Sequence, residues 1–242
     1  MASEARAKLA LALSPIERSS EVKRRHVAVL LALAVASSAV ATAQEVGSSS
    51  PDSPEALAPE AADSAWSGGL DTYLYLQQEG VVVMPIARVD RGSLHLEGRF
   101  QYEDLRTGSA WVGWTFELGD ALHFAVTPMV GGVFGRTNGV APGLRLSLVW
   151  KRLELSSESE YLVDLENAQD SFFYNWSELS WQALSWLRGG LAVQRMRVYQ
   201  TGLALETGAF VGLSKGPVEL SVYGFNLYGD ARYAIFGLGL GF

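Results

Sequence analysis

From about Leu70 to the C-terminus, apolar residues alternate with polar or small residues with a period of two. Successive side chains of a β-strand point to opposite faces, so this period predicts strands that each have one apolar face. Short turn-forming stretches such as Arg91-Gly92 separate the alternating segments, and the connections are too short to hold helices. The twelve predicted strands run approximately 70–78, 81–90, 93–104, 109–118, 121–134, 140–150, 152–164, 172–182, 186–198, 204–214, 218–227 and 231–242.

The segment 93–104 shows the two faces of a predicted strand most clearly. Its residues divide into an apolar set and a polar set: Leu94, Leu96, Gly98, Phe100 and Tyr102 against His95, Glu97, Arg99, Gln101 and Glu103. A soluble barrel or sandwich would bury the apolar set, whereas a membrane barrel turns it to lipid and lines its lumen with the polar set. Alternation alone does not decide between these two arrangements.

The N-terminal 43 residues contain the pattern of an export signal. A basic stretch from Lys23 to His26 precedes a short apolar run from Val27 to Ala36, and an A-x-A site follows at 41–43. This order is typical of a secretory signal peptide, and we expect cleavage after Ala43. A membrane-anchor helix is the alternative, but the apolar run is too short and too rich in Ala and Ser to span a bilayer well.

The remaining N-terminal residues do not show strand periodicity. Residues 1–22 do not belong to a signal peptide, so we expect translation to start near Val22. Residues 44–68 are rich in Ser, Pro, Ala and acidic residues and predict a disordered linker. The predicted boundaries are therefore 1–43 for the signal peptide with its extension, 44–68 for the linker and 69–242 for the folded part.

The composition excludes several classes of protein. The chain has no Cys, which excludes a disulfide framework and a thiolate metal site. The formal net charge of −7 argues against a nucleic-acid partner. After the export segment, no apolar run approaches the roughly 18 residues that a membrane helix needs. No metal-ligand spacing, phosphate-binding loop or nucleotide motif is present, so we predict no cofactor and no metal.

The last ten residues, Tyr233 to Phe242, place large apolar residues and glycines in strict alternation and end on an aromatic residue. This ending resembles the closing strand of Gram-negative outer-membrane β-barrel proteins of the porin-like kind, and the alternating texture extends the resemblance over roughly 70–242. The resemblance implies an all-β fold, a single antiparallel up-and-down transmembrane β-barrel of twelve strands. Ten strands are the alternative, because the alternation is weak in 70–90.

The same resemblance implies a location and partners. It places the protein in the outer membrane, with residues 44–68 as a periplasmic linker, and it implies contact with outer-membrane lipids and lipopolysaccharide. In this family the barrel-assembly machinery reads a terminal Phe, which here is Phe242. The outer connections of this chain are shorter than is usual in the family, which argues against a large external loop plug.

Aromatic residues cluster at the ends of the predicted strands, as they do in the interfacial girdles of membrane barrels. If the mature N-terminus is periplasmic, one group lies at the periplasmic edge: Trp150, Trp181, Trp186 and Phe242. A second group lies at the outer edge: Phe134, Phe172, Phe173, Tyr199 and Tyr228.

The polar faces carry charges of both signs, which we predict to line the lumen: Arg88, His95, Glu97, Arg99, Glu103, Glu117, Arg145, Glu154, Glu158, Glu160, Glu178 and Arg188. Charges in a lumen are costly without partners, so neighbouring strands should match them. They form either a structural ladder that fills the interior or the wall of a channel that selects solutes by charge. The acidic residues at 154–160 would make such a channel prefer cations.

Two arginines interrupt the pattern of the segment 186–198. Strict alternation places Arg195 and Arg197 on the lipid face, near the outer end, where an arginine costs least. There they would meet lipopolysaccharide phosphates. The interpretation that we favour is a β-bulge that turns both side chains inward.

The function predicted from these features is a small porin-like channel or transporter for hydrophilic solutes, and not an enzyme. The alternative is a non-conducting structural barrel whose lumen is filled by polar side chains or by the linker. A second alternative is a barrel enzyme acting on envelope lipids. Only two histidines, His95 and His123, follow the export signal, and His95 could form a catalytic dyad with Glu97 on the same face. If a pore exists, we expect its widest wall at the inward glycines Gly237, Gly239 and Gly241.

Overall fold

The computed structural model describes residues 65–77, 80–198, 204–228 and 232–242. The predicted signal peptide, most of the predicted linker and Tyr199 lie outside these residues. Short-range alternation produces thirteen strand segments: β1 (Ser67–Gln77), β2 (Gly80–Arg91), β3 (Leu94–Phe100), β4 (Thr107–Trp114), β5 (Phe116–Leu118), β6 (Leu122–Gly135), β7 (Gly139–Trp150), β8 (Leu153–Asp164), β9 (Phe172–Leu184), β10 (Leu187–Val198), β11 (Ala204–Lys215), β12 (Val218–Phe225) and β13 (Tyr233–Gly241).

A single 3₁₀ turn, Ala168–Asp170, connects β8 and β9. Among the described residues, no helix is long and apolar enough to cross a membrane.

The strands form a closed antiparallel up-and-down barrel in which each strand pairs with its neighbours in sequence. Strand β1 pairs with β13, from Gly69 opposite Gly241 to Leu76 opposite Ala234, so both sheet edges disappear. The short segments β4 and β5 pair with the same strand, β6, and only Thr115 separates them. Because these two segments form one position in the wall, the barrel has twelve strands, which confirms the prediction of twelve over ten.

The barrel has two ends that differ in their connections. We call the end that holds Ser67 and Phe242 the terminal end and the opposite end the distal end. The terminal connections span two or three residues: 92–93, 119–121, 151–152, 185–186 and 216–217. Positive φ angles at Gly92 and Gly216 (57° and 60°) produce the tight reversals that two-residue hairpins require. The distal connections reach seven residues, at 165–171 and 226–232.

The outer surface of the barrel is apolar and the inner surface carries the charges. Outward side chains such as Leu191 and Val211 are exposed by 60% and 53%, whereas inward Arg99 and Glu160 are exposed by only 4% and 2%. A soluble protein buries its apolar side chains, and this barrel does the reverse over its whole circumference. This is the arrangement of a transmembrane barrel, in which lipid covers the outside.

Most of the buried apolar side chains pack into two clusters toward the distal end. One cluster comes from strands β4 to β9: Trp111, Met129, Val133, Ala141, Leu162, Phe172 and Tyr174. The other comes from strands β10 to β13: Ala192, Phe210, Tyr223, Phe225 and Ile235. Trp176 on β9 packs against both clusters, so it joins them across the lumen.

The positions of two aromatic residues differ from those predicted. Tyr102 was expected on the lipid face with Phe100, but β3 ends at Phe100, and Gln101 adopts a φ of 60°. This left-handed residue breaks the alternation and directs Tyr102 into the lumen, against Tyr174. Phe172 was expected at the outer girdle but is buried in the first inner cluster, because β9 begins on its inward face.

The predicted β-bulge at Arg195 is wrong. Pairing of β10 with β9 and β11 is continuous across this residue, with Asn175 and Leu205 opposite it, and the register shifts only at Leu187/Arg188. The neighbouring Gln194 is buried in the lumen, so alternation places Arg195 on the outer face, where its side chain is exposed.

Candidate functional site: the barrel lumen

The centre of the lumen is organised around Arg99, whose guanidinium is completely buried. Nε lies 2.5 Å from Glu97 Oε1 on the same strand, and the two terminal nitrogens lie 2.7 Å from Glu158 Oε1 and 2.8 Å from Glu160 Oε2. Glu158 and Glu160 belong to β8, and three strands of the wall separate β8 from β3. The side chain of Arg99 therefore extends across the lumen and links β3 to β8 on a distant part of the wall.

Two further arginines extend this network toward the terminal end. Arg145 lies 3.1 Å from Glu97 Oε2 and 3.3 Å from Glu158 Oε2. Arg88 lies 3.3 Å from Glu97 Oε2 and also pairs with Asp71. We call Arg88, Arg99, Arg145 and their carboxylates the arginine cluster. Sharing of Glu97 and Glu158 among these arginines compensates charges that would be costly alone.

His95 occupies the terminal edge of the arginine cluster. Its Nδ1 lies 2.7 Å from Asp90 Oδ1 and its Nε2 lies 3.2 Å from Glu97 Oε2. Arg145 Nη1 lies 3.3 Å from the same Nε2. Both ring nitrogens are therefore engaged within the charge network.

A second charge group lies across the lumen on strands β9, β10 and β12. Arg188 Nε donates to Glu219 Oε1 over 2.9 Å, and its Nη1 lies 3.5 Å from Glu178 Oε2. Glu178 Oε1 also accepts hydrogen bonds from Trp176 Nε1 (2.8 Å) and from the Tyr223 hydroxyl (2.9 Å). These aromatic donors fix the carboxylate of Glu178 in place.

A cavity of about 810 Å³, which we call the vestibule, occupies the terminal half of the lumen. It extends from the rim residues Pro217 and Gly241 to a floor of six aromatic side chains. The floor consists of Tyr73, Tyr75, Tyr102, Tyr174, Trp176 and Tyr223. The charged side chains in its wall are six carboxylates, three arginines and one histidine: Asp71, Asp90, Glu154, Glu158, Glu178, Glu219, Arg88, Arg145, Arg188 and His95.

Four rings of this floor, Tyr102, Tyr174, Trp176 and Tyr223, pack across the barrel together with Phe225 and form what we call the aromatic bridge. The ring of Tyr174 on β9 lies 5.5 Å edge-on from Tyr102, which follows β3, and Trp176 lies 5.5 Å from Tyr223 and 5.3 Å from Phe225 on β12. These pairs join β9 to both opposite parts of the wall. The bridge therefore separates the vestibule from the distal end.

The predicted lumen residues occupy three kinds of position. Those that line the vestibule are Arg88, His95, Arg145, Glu154, Glu158, Glu178 and Arg188. Those that are buried beside the bridge, beyond the vestibule, are Glu97, Arg99, Glu103 and Glu160. Glu117 lies on the three-residue segment β5 at the terminal rim, where it is exposed and does not line the vestibule.

The predicted girdle residues lie at the strand ends. Exposed Trp150, Trp181 and Trp186 are at the terminal end, and exposed Phe134 is at the distal end. Phe173 is half-buried on the outer face at the distal end of β9. The sequence interpretation omitted Trp66, Trp114 and Phe116, which are also exposed near the terminal end.

The inward glycines of β13 do not form an open wall. A Cβ atom at Gly237 would lie 2.3 Å from Ser221 Oγ, and one at Gly239 would lie 2.8 Å from Asp71 Oδ1. Neighbouring polar side chains therefore already occupy this space. Only Gly241, whose nearest neighbour would be 3.9 Å from a Cβ, faces open space at the rim.

Sequence reasoning missed several residues of the lumen. Asp71 and Asp90 were missed although the period of two was sufficient to find them. Alternation in the segment 218–227 places Glu219 and Tyr223 on the polar face, but both were left out of the predicted lumen set. The other floor tyrosines and Trp176 were missed because an aromatic residue fits the lipid face and the lumen equally well. Among the described residues, no group of three or more His, Asp and Glu side chains is placed to hold a metal ion.

Comparisons with known proteins find structural likeness without sequence likeness. No protein-family model and no curated protein matches the sequence. The barrel is similar to the KdgM porin, with a TM-score of 0.53 and 11% identity over 72% of this chain and 99% of that chain. A KdgM porin in complex with disordered oligogalacturonate has a TM-score of 0.55 at 10% identity, with the same shares covered. At such identities the likeness shows the fold.

Proposed function

We propose that this protein is an outer-membrane, porin-like channel for hydrophilic solutes. The observation that carries this proposal is a closed barrel with an apolar exterior and a charged lumen that contains a cavity of about 810 Å³. A barrel of this size lies between small barrels that side chains fill and large barrels that leave a channel. The structural likeness to porins supports the proposal.

The terminal end is, in this proposal, the periplasmic end. Membrane barrels of the outer membrane have short periplasmic turns and longer extracellular connections. The terminal connections here have two or three residues, and the distal connections at 165–171 and 226–232 have seven. Exposed Trp150 and Trp181 at the terminal end would lie at the periplasmic interface of the outer membrane.

Three further proposals accompany this location. Residues 23–43 act as the export signal, outer-membrane lipids and lipopolysaccharide surround the apolar exterior, and the barrel-assembly machinery reads Phe242. In support of the last, Phe242 is exposed on the outer face at the terminal end of the closing strand. We propose no catalytic role for His95, since both its ring nitrogens are engaged by charged partners of the arginine cluster.

The channel is proposed to prefer cations. Six carboxylates, three arginines and one histidine line the vestibule, so the carboxylates are in excess. Rings of charged side chains select ions of the opposite sign in this way. An oligogalacturonate, which the similar KdgM porin is described with, carries negative charge, and the vestibule of the present barrel would repel it.

The aromatic bridge favours a second candidate, a non-conducting structural barrel. Trp176 packs against Tyr223 and Phe225 in the middle of the lumen, where a solute would have to pass. In the channel proposal the bridge is instead a constriction that limits conductance. The two candidates differ in what happens when the bridge is removed.

Single-channel recording in a planar bilayer tests the proposal. We expect the wild-type protein to conduct weakly, with a preference for cations, and the Trp176→Ala variant to conduct at least several-fold more. Trp181→Ala is the matched control, since it removes the same side chain from the outer face of the same strand. Its conductance should equal that of the wild type.

Absence of conductance in both the wild type and Trp176→Ala would support the structural barrel instead. Removal of a fully buried Trp costs about 3–5 kcal/mol and Trp176 is partly buried, so each preparation must first be shown to be folded. The heat-dependent shift of barrel mobility on gels provides that check.

A further inference from the structure

We infer that the floor of the vestibule is a binding site for an organic cation, a solute that carries an ammonium group on an apolar body. The inference deepens the proposed function and rests on it, because it names the class of solute that the channel would take. The ligand would sit over Trp176, between the carboxylates of Glu158 and Glu178.

The register of two strands places these three side chains together. Glu158 on β8 lies directly opposite Trp176 on β9, and directly opposite residues on one face have Cβ atoms about 4.5–5.5 Å apart. Glu178 follows two residues later on the same inward face, with its Oε1 bonded to Trp176 Nε1. The indole is therefore flanked by two carboxylates, and all three residues line the vestibule.

The arginines in the vestibule do not cancel this negative charge. Each of the three contacts two carboxylates: Arg88 contacts Asp71 and Glu97, Arg145 contacts Glu97 and Glu158, and Arg188 contacts Glu178 and Glu219. Arg99, which lies beyond the vestibule, also contacts Glu158, but it shares its charge with Glu97, Glu103 and Glu160. With Arg99 included, four arginines contact seven carboxylates, so carboxylates remain in excess. Among the residues that the structure describes, Glu154 has no ion-pair or hydrogen-bond partner, and it also lines the vestibule.

Aromatic rings in this lumen already serve as platforms for cations. The guanidinium carbon of Arg99 lies 4.4 Å from the ring centres of Tyr102 and Trp111, and that of Arg188 lies 5.0 Å from Phe210. A cation within about 6 Å of a ring face is attracted to it, and quaternary ammonium groups are recognised in this way. Aromatic faces and carboxylates together favour an organic cation over either a bare metal ion or a neutral solute.

The vestibule has room for such a ligand. Small-molecule sites usually have volumes of about 300–1,000 Å³, and the volume of the vestibule falls in this range. Gly241 leaves the rim open beside the turn at Gly216 and Pro217. A solute that enters from the terminal end would meet the floor, whose rings form the aromatic bridge.

Calorimetric titration of the purified, detergent-solubilised barrel tests the inference. The probe is tetramethylammonium chloride, compared with sodium chloride at equal ionic strength and with tert-butanol, a neutral molecule of similar shape. We expect saturable heat from tetramethylammonium alone. In Glu178→Gln and in Trp176→Leu the affinity should fall about tenfold, since one carboxylate or one aromatic face is lost. Trp181→Leu, on the outer face, should bind as the wild type does.

The wild-type titration decides the inference without any variant. Equal heats from sodium and tetramethylammonium, or tighter binding of tert-butanol, would overturn it. Saturable binding of galacturonic acid in place of tetramethylammonium would also overturn it. Conductance without tetramethylammonium binding refutes this inference and leaves the proposed channel intact. Binding without conductance refutes the channel and leaves the cation site.

Discussion

The terminal and distal halves of the lumen are built on the same strands but contain different chemistry. Along the inward face of β9, Phe172, Tyr174 and Trp176 come first, from the distal end, and Glu178 and Ser180 follow toward the terminal end. The outer face of the barrel has no such change, since it stays mainly apolar along its length. The difference shows that the role of an inward side chain depends on its position along the barrel axis as well as on the face of the strand that carries it.

The two halves also differ in how they are held together. The distal half contains aromatic pairs, such as Trp176 with Phe225, and such pairs contribute about 0.5–1.5 kcal/mol each beyond their burial. The terminal half contains ion pairs around a cavity. Arg99 belongs to both, because its guanidinium binds Glu158 and also lies over the rings of Tyr102 and Trp111.

Substitution of Arg99 should have the largest effect, because it removes the junction between the halves. In Arg99→Met, Glu97, Glu158 and Glu160 lose a buried positive partner, and removal of one partner from a buried ion pair costs about 3–5 kcal/mol. We expect a loss of that size in the free energy of unfolding, measured by urea titration in detergent or lipid.

The matched control is Arg195→Met on the outer face. This arginine is exposed toward lipid, so its replacement should leave stability unchanged or raise it. Equal losses in the two variants would contradict the view that Arg99 joins the halves.

A pair of glycines tests the difference in packing. A Cβ atom at Gly131 would lie 2.4 Å from the Trp111 ring in the distal half, whereas at Gly241 the nearest atom would be 3.9 Å away. We expect Gly131→Ala to lower the free energy of unfolding by about 1–3 kcal/mol through overpacking. Gly241→Ala should be neutral within about 0.5 kcal/mol, since a surface change of this kind usually is. Similar losses at both positions would show that the two halves are packed alike.

Charge in the terminal half should affect ion selectivity, with the smallest of the three effects. Glu154→Gln removes one vestibule carboxylate without breaking an ion pair among the described residues, so the cation preference of the channel should fall about twofold while stability is kept. Reversal potentials under a salt gradient measure this preference. Glu166→Gln, at the exposed distal connection, is the control and should show the wild-type preference.

The period of two was enough to predict the strands, their number and the side on which most charges lie. It succeeded because a barrel wall imposes that period on every strand, so Glu97 and Arg99 had to share a face. It failed at Tyr102, where the positive φ of Gln101 changes the face. At Arg195 strict alternation was correct, and the error came from the expected β-bulge, which the continuous pairing of β10 excludes.

The alternation of residues along each strand could not show which side chains of distant strands meet inside the lumen. Contacts such as Arg99 with Glu160 join strands that are separated by three others around the wall, and no spacing in the sequence encodes that distance. For the same reason, the sequence could not show that Trp176 faces Tyr223 across the barrel. Tilt and register of the closed wall determine which inward residues meet.

The seam between β1 and β13 imposes an order on folding. The amide and the carbonyl of Phe242 both bond to Gly68, each over 2.9 Å, so the final residue takes part in the last rung of the wall. Every other neighbouring pair of strands joins segments that are close in sequence and can form early as hairpins. The seam joins residues more than one hundred positions apart, and closing so long a loop costs entropy that local hairpins do not. The barrel can therefore close only after β13 has been synthesised, and a chain without β13 leaves two open sheet edges exposed.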